Sequence, residues 1–277
     1  MHEYTIKAPA KINIGLNIIS KRPDGYHNIE TIFYPVSLYD TLSFLPSDKL
    51  TFSTTSEKLA KEPDNLILKA VKLLEQYTGE KFLLDIKHKK NIPIGAGLGG
   101  GSSDAAATLL AVNEIYKLRI PVEELGILAG KLGSDAPFFL RNKPSFASSR
   151  GEVLREIDFN IPYPILLVNP GIHISTKWAY ENITPKPISK SLLSHINNKI
   201  EVKDYKYLFY NDFEDVIFRK FEELKEIKKT MYSMDALFSL MTGSGSTIFG
   251  IYPDMDKIKK AEGHFNKLNY FTFIHKN

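Results

Sequence analysis

The stretch Pro93-Ile94-Gly95-Ala96-Gly97-Leu98-Gly99-Gly100-Gly101-Ser102-Ser103-Asp104 constrains this chain more than any other, because it runs straight into an apolar helical pattern. Five of the 17 glycines fall between positions 95 and 101. Glycine at that density serves backbone that approaches a ligand closely or adopts positive φ, where a Cβ would collide or strain. A flexible linker would not be followed by Ala105, Leu109, Val112 and Tyr116 at helical spacing, nor by Ser102 and Ser103, either of which can cap a helix. The first N–H groups of a helix lack intrahelical partners and its dipole is positive there. The loop and helix start together therefore predict an anion cradle, for phosphate above all.

Two familiar phosphate motifs do not fit. A Walker A loop needs Lys directly after its last glycine, and Ser102 stands there. Gly95, Gly97 and Gly100 do spell G-x-G-x-x-G, but a dinucleotide fold also wants a βαβ unit with an acidic residue about 20 residues on. Ile92-Pro93 is a poor end for a buried parallel strand, and Glu114 lies inside the helix itself.

The rest of the chain predicts two lobes, which 277 residues with 43% hydrophobic content can fill. Residues 4 to 20 read as a strand pair or one long strand. Period two there puts Lys11 and Asn13 on the face opposite Ile12, Ile14 and Ile18. Pro23-Asp24-Gly25 is a turn, with Tyr26 and His27 at its exit, either pairing to stack on and hydrogen-bond a base or simply closing the sheet edge. Residues 28 to 56 alternate loosely as strands. Pro63-Asp64-Asn65 opens a helix that ends near Gly79, and Leu83 to Lys90 is a strand leading into the glycine loop. After the loop helix, Pro121 opens another, closed by Gly133. Asp135 follows before Ala136-Pro137, the place of a helix N-cap, where the dipole would hold it ionised.

Residues 141 to 164 read as polar turns, and Ile161-Pro162-Tyr163-Pro164 marks a boundary between lobes spanning 1–160 and 161–277. The second lobe reads as strand (Ile165 to Val168), helices, strand, helix, strand, an α+β plan. Ser175 starts a helix carrying Trp178 and Tyr180, and residues 184 to 204 form a surface excursion. Thr242-Gly243-Ser244-Gly245-Ser246 is a second glycine loop, opening a strand instead of a helix.

Chemistry classes narrow quickly. Cysteine is absent, which excludes disulfides, thiolate nucleophiles and cysteine-ligated zinc, and the seven histidines show no metal-binding spacing. The 36 basic and 32 acidic residues leave net +4 without a basic stripe, which suits an anionic small molecule and does not call for nucleic acid. No apolar run approaches the roughly 18 residues of a membrane span and no signal-peptide region is present, so a soluble cytoplasmic protein is expected.

Three stretches, Pro9 to Leu16, Pro93 to Ser103 and Thr242 to Ser246, resemble in order and spacing the three motifs of the GHMP kinases. The resemblance implies a two-lobed α+β fold with an N-terminal ribosomal protein S5 domain 2-like lobe and a C-terminal ferredoxin-like lobe. Lys21 to His27, then Thr31 and Phe33, and Gly133 to Phe139 are similar to the branch whose acceptor is a diphosphocytidyl methylerythritol. That branch implies ATP as phosphoryl donor, Mg²⁺ with it, and a small cytidine diphosphate substrate. Carried over by position, Asp135 is the implied catalytic base and Lys11 its partner. Asn65 and the loop Pro93, Ile94, Gly95, Ala96, Gly97, Leu98, Gly99, Gly100, Gly101, Ser102 and Ser103 are implied to bind ATP. Asn13, Tyr26, His27, Thr176 and Tyr180 are implied to bind the acceptor. No acid stands out as a magnesium ligand; Asp104 and Ser103 are candidates and no more. Ser148-Ser149-Arg150-Gly151-Glu152 departs from the family's glycine-punctuated Gly-x-Gly-Glu segment. Another GHMP small-alcohol kinase, or a nucleotide sensor without turnover, stays open as an alternative.

Overall fold

Two long strands, β1 (Tyr4–Lys21) and β2 (His27–Pro46), open the chain. The turn between them is closed by the Arg22 N–H donating to the Tyr26 carbonyl at 2.8 Å and the Gly25 N–H to the Arg22 carbonyl at 3.1 Å. The computed structural model describes residues 2–62, 65–196 and 200–276. Pro63 and Asp64, expected at a helix start, lie outside them. The elements that follow are β3 (Thr51–Thr54), α1 (Glu57–Ala60), α2 (Leu66–Thr78), β4 (Leu84–Lys89), α3 (Gly100–Ile115), α4 (Val122–Leu132) and α5 (Ala136–Arg141). Then come β5 (Ser145–Ser148), β6 (Val153–Glu156), β7 (Ile165–Asn169), α6 (Thr176–Glu181), α7 (Leu193–Ile196), a 3₁₀ turn over Val202–Tyr207, α8 (Phe213–Lys220), α9 (Glu222–Ser233), β8 (Phe238–Met241), β9 (Ile248–Ile251), α10 (Met255–Lys267) and β10 (Phe271–His275).

The chain divides into two compact units. The first holds Met1–Ala10, Leu38–Ile94 and Gly99–Asn142. In it β2 pairs antiparallel with β4 from Thr41↔Lys89 to Pro46↔Leu84, and β3 pairs parallel with β4. Helix α2 starts where Asn65 accepts the N–H groups of Ile67 and Leu68, and stops at Gly79 with φ +76°. Its buried stripe of Ile67, Ala70, Val71 and Leu74 joins Leu109, Val112, Leu125 and Leu128 of α3 and α4 and Phe44, Leu84 and Ile86 of the strands in one core.

The second unit holds Lys11–Ser37, Gly95–Leu98 and Lys143–Asn277. Its four-stranded antiparallel sheet has the order β10-β7-β9-β8. Strand, helices, strand, strand, helix, strand in that spatial order is the ferredoxin-like plan. Helix α9 lies on β8 and β9, and α10 on β7 and β10. Leu166, Val168, Ile217, Leu224, Ile227, Ile248 and Ile258 fill the core. In the same unit β2 pairs with β5 at Thr31↔Ala147 to Phe33↔Ser145, and β5 with β6.

Three details differ from the sequence reading. Residues 141 to 164 hold β5 and β6 as well as turns, and β8 is a fourth strand of the ferredoxin-like sheet. Helix α3 begins at Gly100 after Gly99 at φ +72°, with no side-chain cap, so neither serine opens it. No helix among the described residues is long and apolar enough to cross a membrane.

Candidate active site

The expected site residues fall in two constellations, one in each unit. In the second unit β1 carries Lys11 and Asn13 as neighbours on one face, as period two requires, but that face is not solvated: each is only 2% exposed. Lys11 Nζ donates to Asn13 Oδ1 at 2.6 Å and to the Gly97 carbonyl at 3.3 Å, and lies 5.1 Å from the centre of the Phe33 ring. Asn13 Nδ2 donates to Thr31 Oγ1 at 2.8 Å, and that hydroxyl to the Gly15 carbonyl at 2.6 Å. Thr242 Oγ1 accepts the Asn13 N–H at 3.0 Å and lies 3.2 Å from both Asn13 Oδ1 and the Gly97 carbonyl oxygen. Segments far apart in sequence thus meet at one amide.

The two glycine loops touch backbone to backbone. Gly97 has φ +76°, and a Cβ on it would overlap the Thr242 carbonyl oxygen and sit 3.1 Å from that of Gly245. Reciprocally, a Cβ on Gly243 would come 3.1 Å from the Gly97 oxygen. The Thr247 N–H donates to the Ala96 carbonyl at 3.3 Å. Asn211 Nδ2 donates to the carbonyls of Met241 and Gly243 at 2.7 and 2.8 Å, and Asn169 Nδ2 to the hydroxyls of Ser246 and Thr247 at 3.1 and 3.0 Å. The second loop is therefore braced from behind while its face meets the first.

The aromatic group lies in the same unit. His27 is buried and stacks on Tyr180, with ring centroids 4.8 Å apart and planes at 19°. Tyr180 meets Phe213 edge-on at 4.9 Å. Burial, and then the charge of Lys21, hold the His27 imidazole below its ordinary pKa. Tyr26 is exposed and carries the Arg150 guanidinium 4.6 Å from its ring centre. Arg150 had no assigned part in the sequence reading because its segment departs from the family pattern. Within that segment Ser149 keeps a left-handed φ of +62°, its hydroxyl 2.9 Å from Arg22 Nη1 and 3.1 Å from Glu152 Oε1. The Arg150 N–H donates to Glu152 Oε2 at 2.8 Å. Thr176, exposed at the start of α6, has its hydroxyl 2.9 Å from that of Ser244 in the second glycine loop.

In the first unit, the chain runs from Gly99 into α3. Ser103 is fully buried and its Oγ has no hydrogen-bond partner. A Cβ on Gly101 would lie 3.3 Å from Leu66 Cδ1, so the start of α2 packs on the start of α3. Asn65 is spent on capping α2, with Nδ2 donating to the Glu62 carbonyl at 3.3 Å. A Cβ on Gly133 would stand 3.1 Å from Ser102 Oγ, which puts the lead-in to Asp135 against the loop serine. Asp135 occupies the N-cap position of α5, yet its side chain makes no capping hydrogen bond. The aspartate thus stands at the helix start that the sequence assigns it, without that hydrogen bond. Asp104, the other magnesium candidate, is buried, with Oδ2 3.2 Å from Lys90 Nζ and Oδ1 without a hydrogen-bond partner.

Comparison with known proteins follows the same lines. The family description "GHMP kinases N terminal domain" matches residues 65–143, and "GHMP kinases C terminal" matches residues 192–270. The 4-diphosphocytidyl-2-C-methyl-D-erythritol kinase of Pelodictyon phaeoclathratiforme is 40% identical over 267 residues, 94% of this chain and 93% of that one. The enzyme of the same name from Parabacteroides distasonis is 43% identical over 265 residues, covering 95% and 94%. A crystal structure of 4-(cytidine 5'-diphospho)-2C-methyl-D-erythritol kinase matches with TM-score 0.83 and 31% identity over 98% of both chains. The Methanococcus jannaschii mevalonate kinase shares the fold, at TM-score 0.74 and 15% identity over 100% of this chain and 99% of that one.

Proposed function

Because the chain belongs to the 4-diphosphocytidyl-2-C-methyl-D-erythritol kinases, a branch of the GHMP kinases, we propose that it phosphorylates the 2-hydroxyl of 4-diphosphocytidyl-2-C-methyl-D-erythritol with ATP, in isoprenoid precursor biosynthesis. The observation that carries the reading is the meeting of all three motif segments at Asn13, through Lys11 Nζ, the Gly97 carbonyl and Thr242 Oγ1.

Phosphoryl transfer asks a protein for position and charge, because charge spreads over the phosphoryl oxygens in a loose transition state. The N–H groups of the loop from Pro93 to Ser103 are the donors for the ATP phosphates, with Asn65 nearby. Asp135 orients the acceptor hydroxyl and receives its proton, which a loose transition state releases late. Lys11 stabilises charge on the phosphoryl group in flight, and Asn13 aligns Lys11. A magnesium ion bound with ATP would supply neutralisation of phosphate charge. Ser103, with a buried hydroxyl lacking a partner at the first turn of α3, and Asp104, with Oδ1 lacking one, are the side chains that would hold it. Tyr26, His27, Thr176 and Tyr180 hold the cytidine diphosphate end. The reading keeps a lobe boundary at 160/161, which the family matches over 65–143 and 192–270 leave room for.

The test is ADP release with ATP and Mg²⁺, offering the diphosphocytidyl acceptor beside mevalonate and homoserine. Turnover confined to the first is expected. Turnover on either of the others would install a different GHMP kinase activity, and ATP binding with no transfer would make the protein a sensor.

A further inference from the structure

One unit carries a buried charge cluster that the proposed chemistry does not use. Asp40 on β2 is 0% exposed, and His88 on β4 and Asp104 on α3 are 2% exposed. Lys90, just past β4, extends its ammonium to Asp40 Oδ2 and to Asp104 Oδ2, the latter at 3.2 Å. Asp40 Oδ1 accepts the N–H groups of Asn91 at 2.6 Å and Ile92 at 2.8 Å. His88 places Nε2 3.4 Å from Asp104 Oδ2 and Nδ1 3.0 Å from Thr54 Oγ1. Asp40, His88 and Asp104 would suit a divalent ion by ligand type, with donor atoms within 4.8 Å of one another. The Lys90 ammonium already pairs with both carboxylates as the cluster's own cation.

Such a cluster is a poor source of stability. Taking each ion out of water costs several kcal/mol, and an apolar core of equal volume is often as stable. Its placement suggests another use. Lys90, Asn91 and Ile92 are the last residues before Pro93, and Asp104 stands in the helix that leaves the glycine loop. The ammonium also lies against the backbone of Gly100, where a Cβ would come within 2.9 Å of Nζ. Asp40 thus fixes the strand of chain leading into the loop, and Lys90 ties that strand to the helix leading out.

We propose that Asp40 and Lys90 are positioning residues of the phosphate loop: bridging to Asp104, they set the span between its two ends and so the affinity for nucleotide, without touching the nucleotide. Burial and the charge of Asp104 raise the Asp40 carboxyl above its ordinary pKa, with the Lys90 ammonium acting against them. The proposal rests on the reading of the loop as an ATP phosphate site.

The test compares the parent with Asp40→Asn and with the double variant Asp40→Asn/Lys90→Met, which removes a carboxylate and the ammonium together. Affinities for a fluorescent ADP analogue and for cytidine diphosphate are measured by titration, beside the melting temperature. The double variant is expected to bind the ADP analogue about ten-fold more weakly, a change of about 1.4 kcal/mol, with cytidine diphosphate affinity and cooperative melting retained. If it does not fold, Asp40→Asn decides, with a smaller loss confined to the ADP analogue expected. Equal nucleotide affinity in a folded variant, or a parallel fall in both affinities and in melting temperature, overturns the positioning role. A parent that does not bind the ADP analogue overturns the ATP reading instead.

Discussion

The His27 imidazole and the Tyr180 ring lie nearly parallel, 4.8 Å apart, with His27 buried beneath the exposed turn that carries Tyr26. A neutral, packed imidazole keeps one N–H donor and one lone pair in fixed directions, which suits the edge of a cytosine. Tyr180→Ala is expected to raise KM for the diphosphocytidyl acceptor by the equivalent of about 1–3 kcal/mol, as for loss of one base-stacking ring, with KM for ATP unchanged. Initial-rate kinetics with each substrate varied in turn make the comparison.

His27 also gives a pH dependence. Its folded-state pKa lies below the ordinary value, with burial the larger cause and Lys21 the second. The unfolded chain therefore binds this proton more readily, and the stability associated with neutral His27 is present above about pH 6.5 and lost as pH falls through the folded-state value. Denaturant melts of His27→Gln against the parent, at neutral and mildly acid pH, should show a shallower acid loss in the variant.

Gly97→Ala should do more harm than its size suggests. The left-handed φ of +76° costs a non-glycine residue about 1–2 kcal/mol, and the overlap with the Thr242 carbonyl oxygen adds to it. Gly25→Ala is the control: φ is +85° but nothing lies within 4 Å of the new Cβ. The Gly97 variant is expected to lose both melting temperature and nucleotide affinity, and the Gly25 variant only some melting temperature.

Asp135→Ala is expected to lower kcat by about 10²–10⁴-fold, the range of a lost general base, with little change in KM for ATP. A rate within a few-fold of the parent, about 1 kcal/mol or less, would remove Asp135 from the chemistry.

Tyr252 is fully buried and its hydroxyl has no hydrogen-bond partner, so Tyr252→Phe should stabilise the protein by about 1 kcal/mol, read as a raised denaturation midpoint.

Much of this was legible from residue spacing. Gly79 and Gly133 end helices where the sequence puts them, and Lys11 and Asn13 share a face. What was lost depends on contacts that spacing does not encode. Phe238–Met241 is only four residues long, with Ser239 buried among apolar neighbours, and it leads into a glycine loop, so it is too short to show a strand's period. Ser145–Ser148 and Val153–Glu156 are short, and β6 is mostly exposed, so they read as polar turns. Serines at a helix start look like caps, but glycine backbone had already opened α3. Asp40 looks like one polar residue in a loose strand, and only the folded sheet places it beside Lys90.

The Gly97 carbonyl and Thr242 Oγ1 that share a hydrogen bond are 145 positions apart in the chain. A protein made from its N-terminus releases the glycines of the phosphate loop long before the backbone against which they are shaped. Until Met241 to Thr247 have emerged and β8 and β9 have paired, the loop has neither the carbonyls that fit Gly97 nor the hydroxyl that meets Asn13. The fit between the two glycine loops thus arrives late in synthesis, and a prematurely terminated copy lacks the backbone and hydroxyl that complete it.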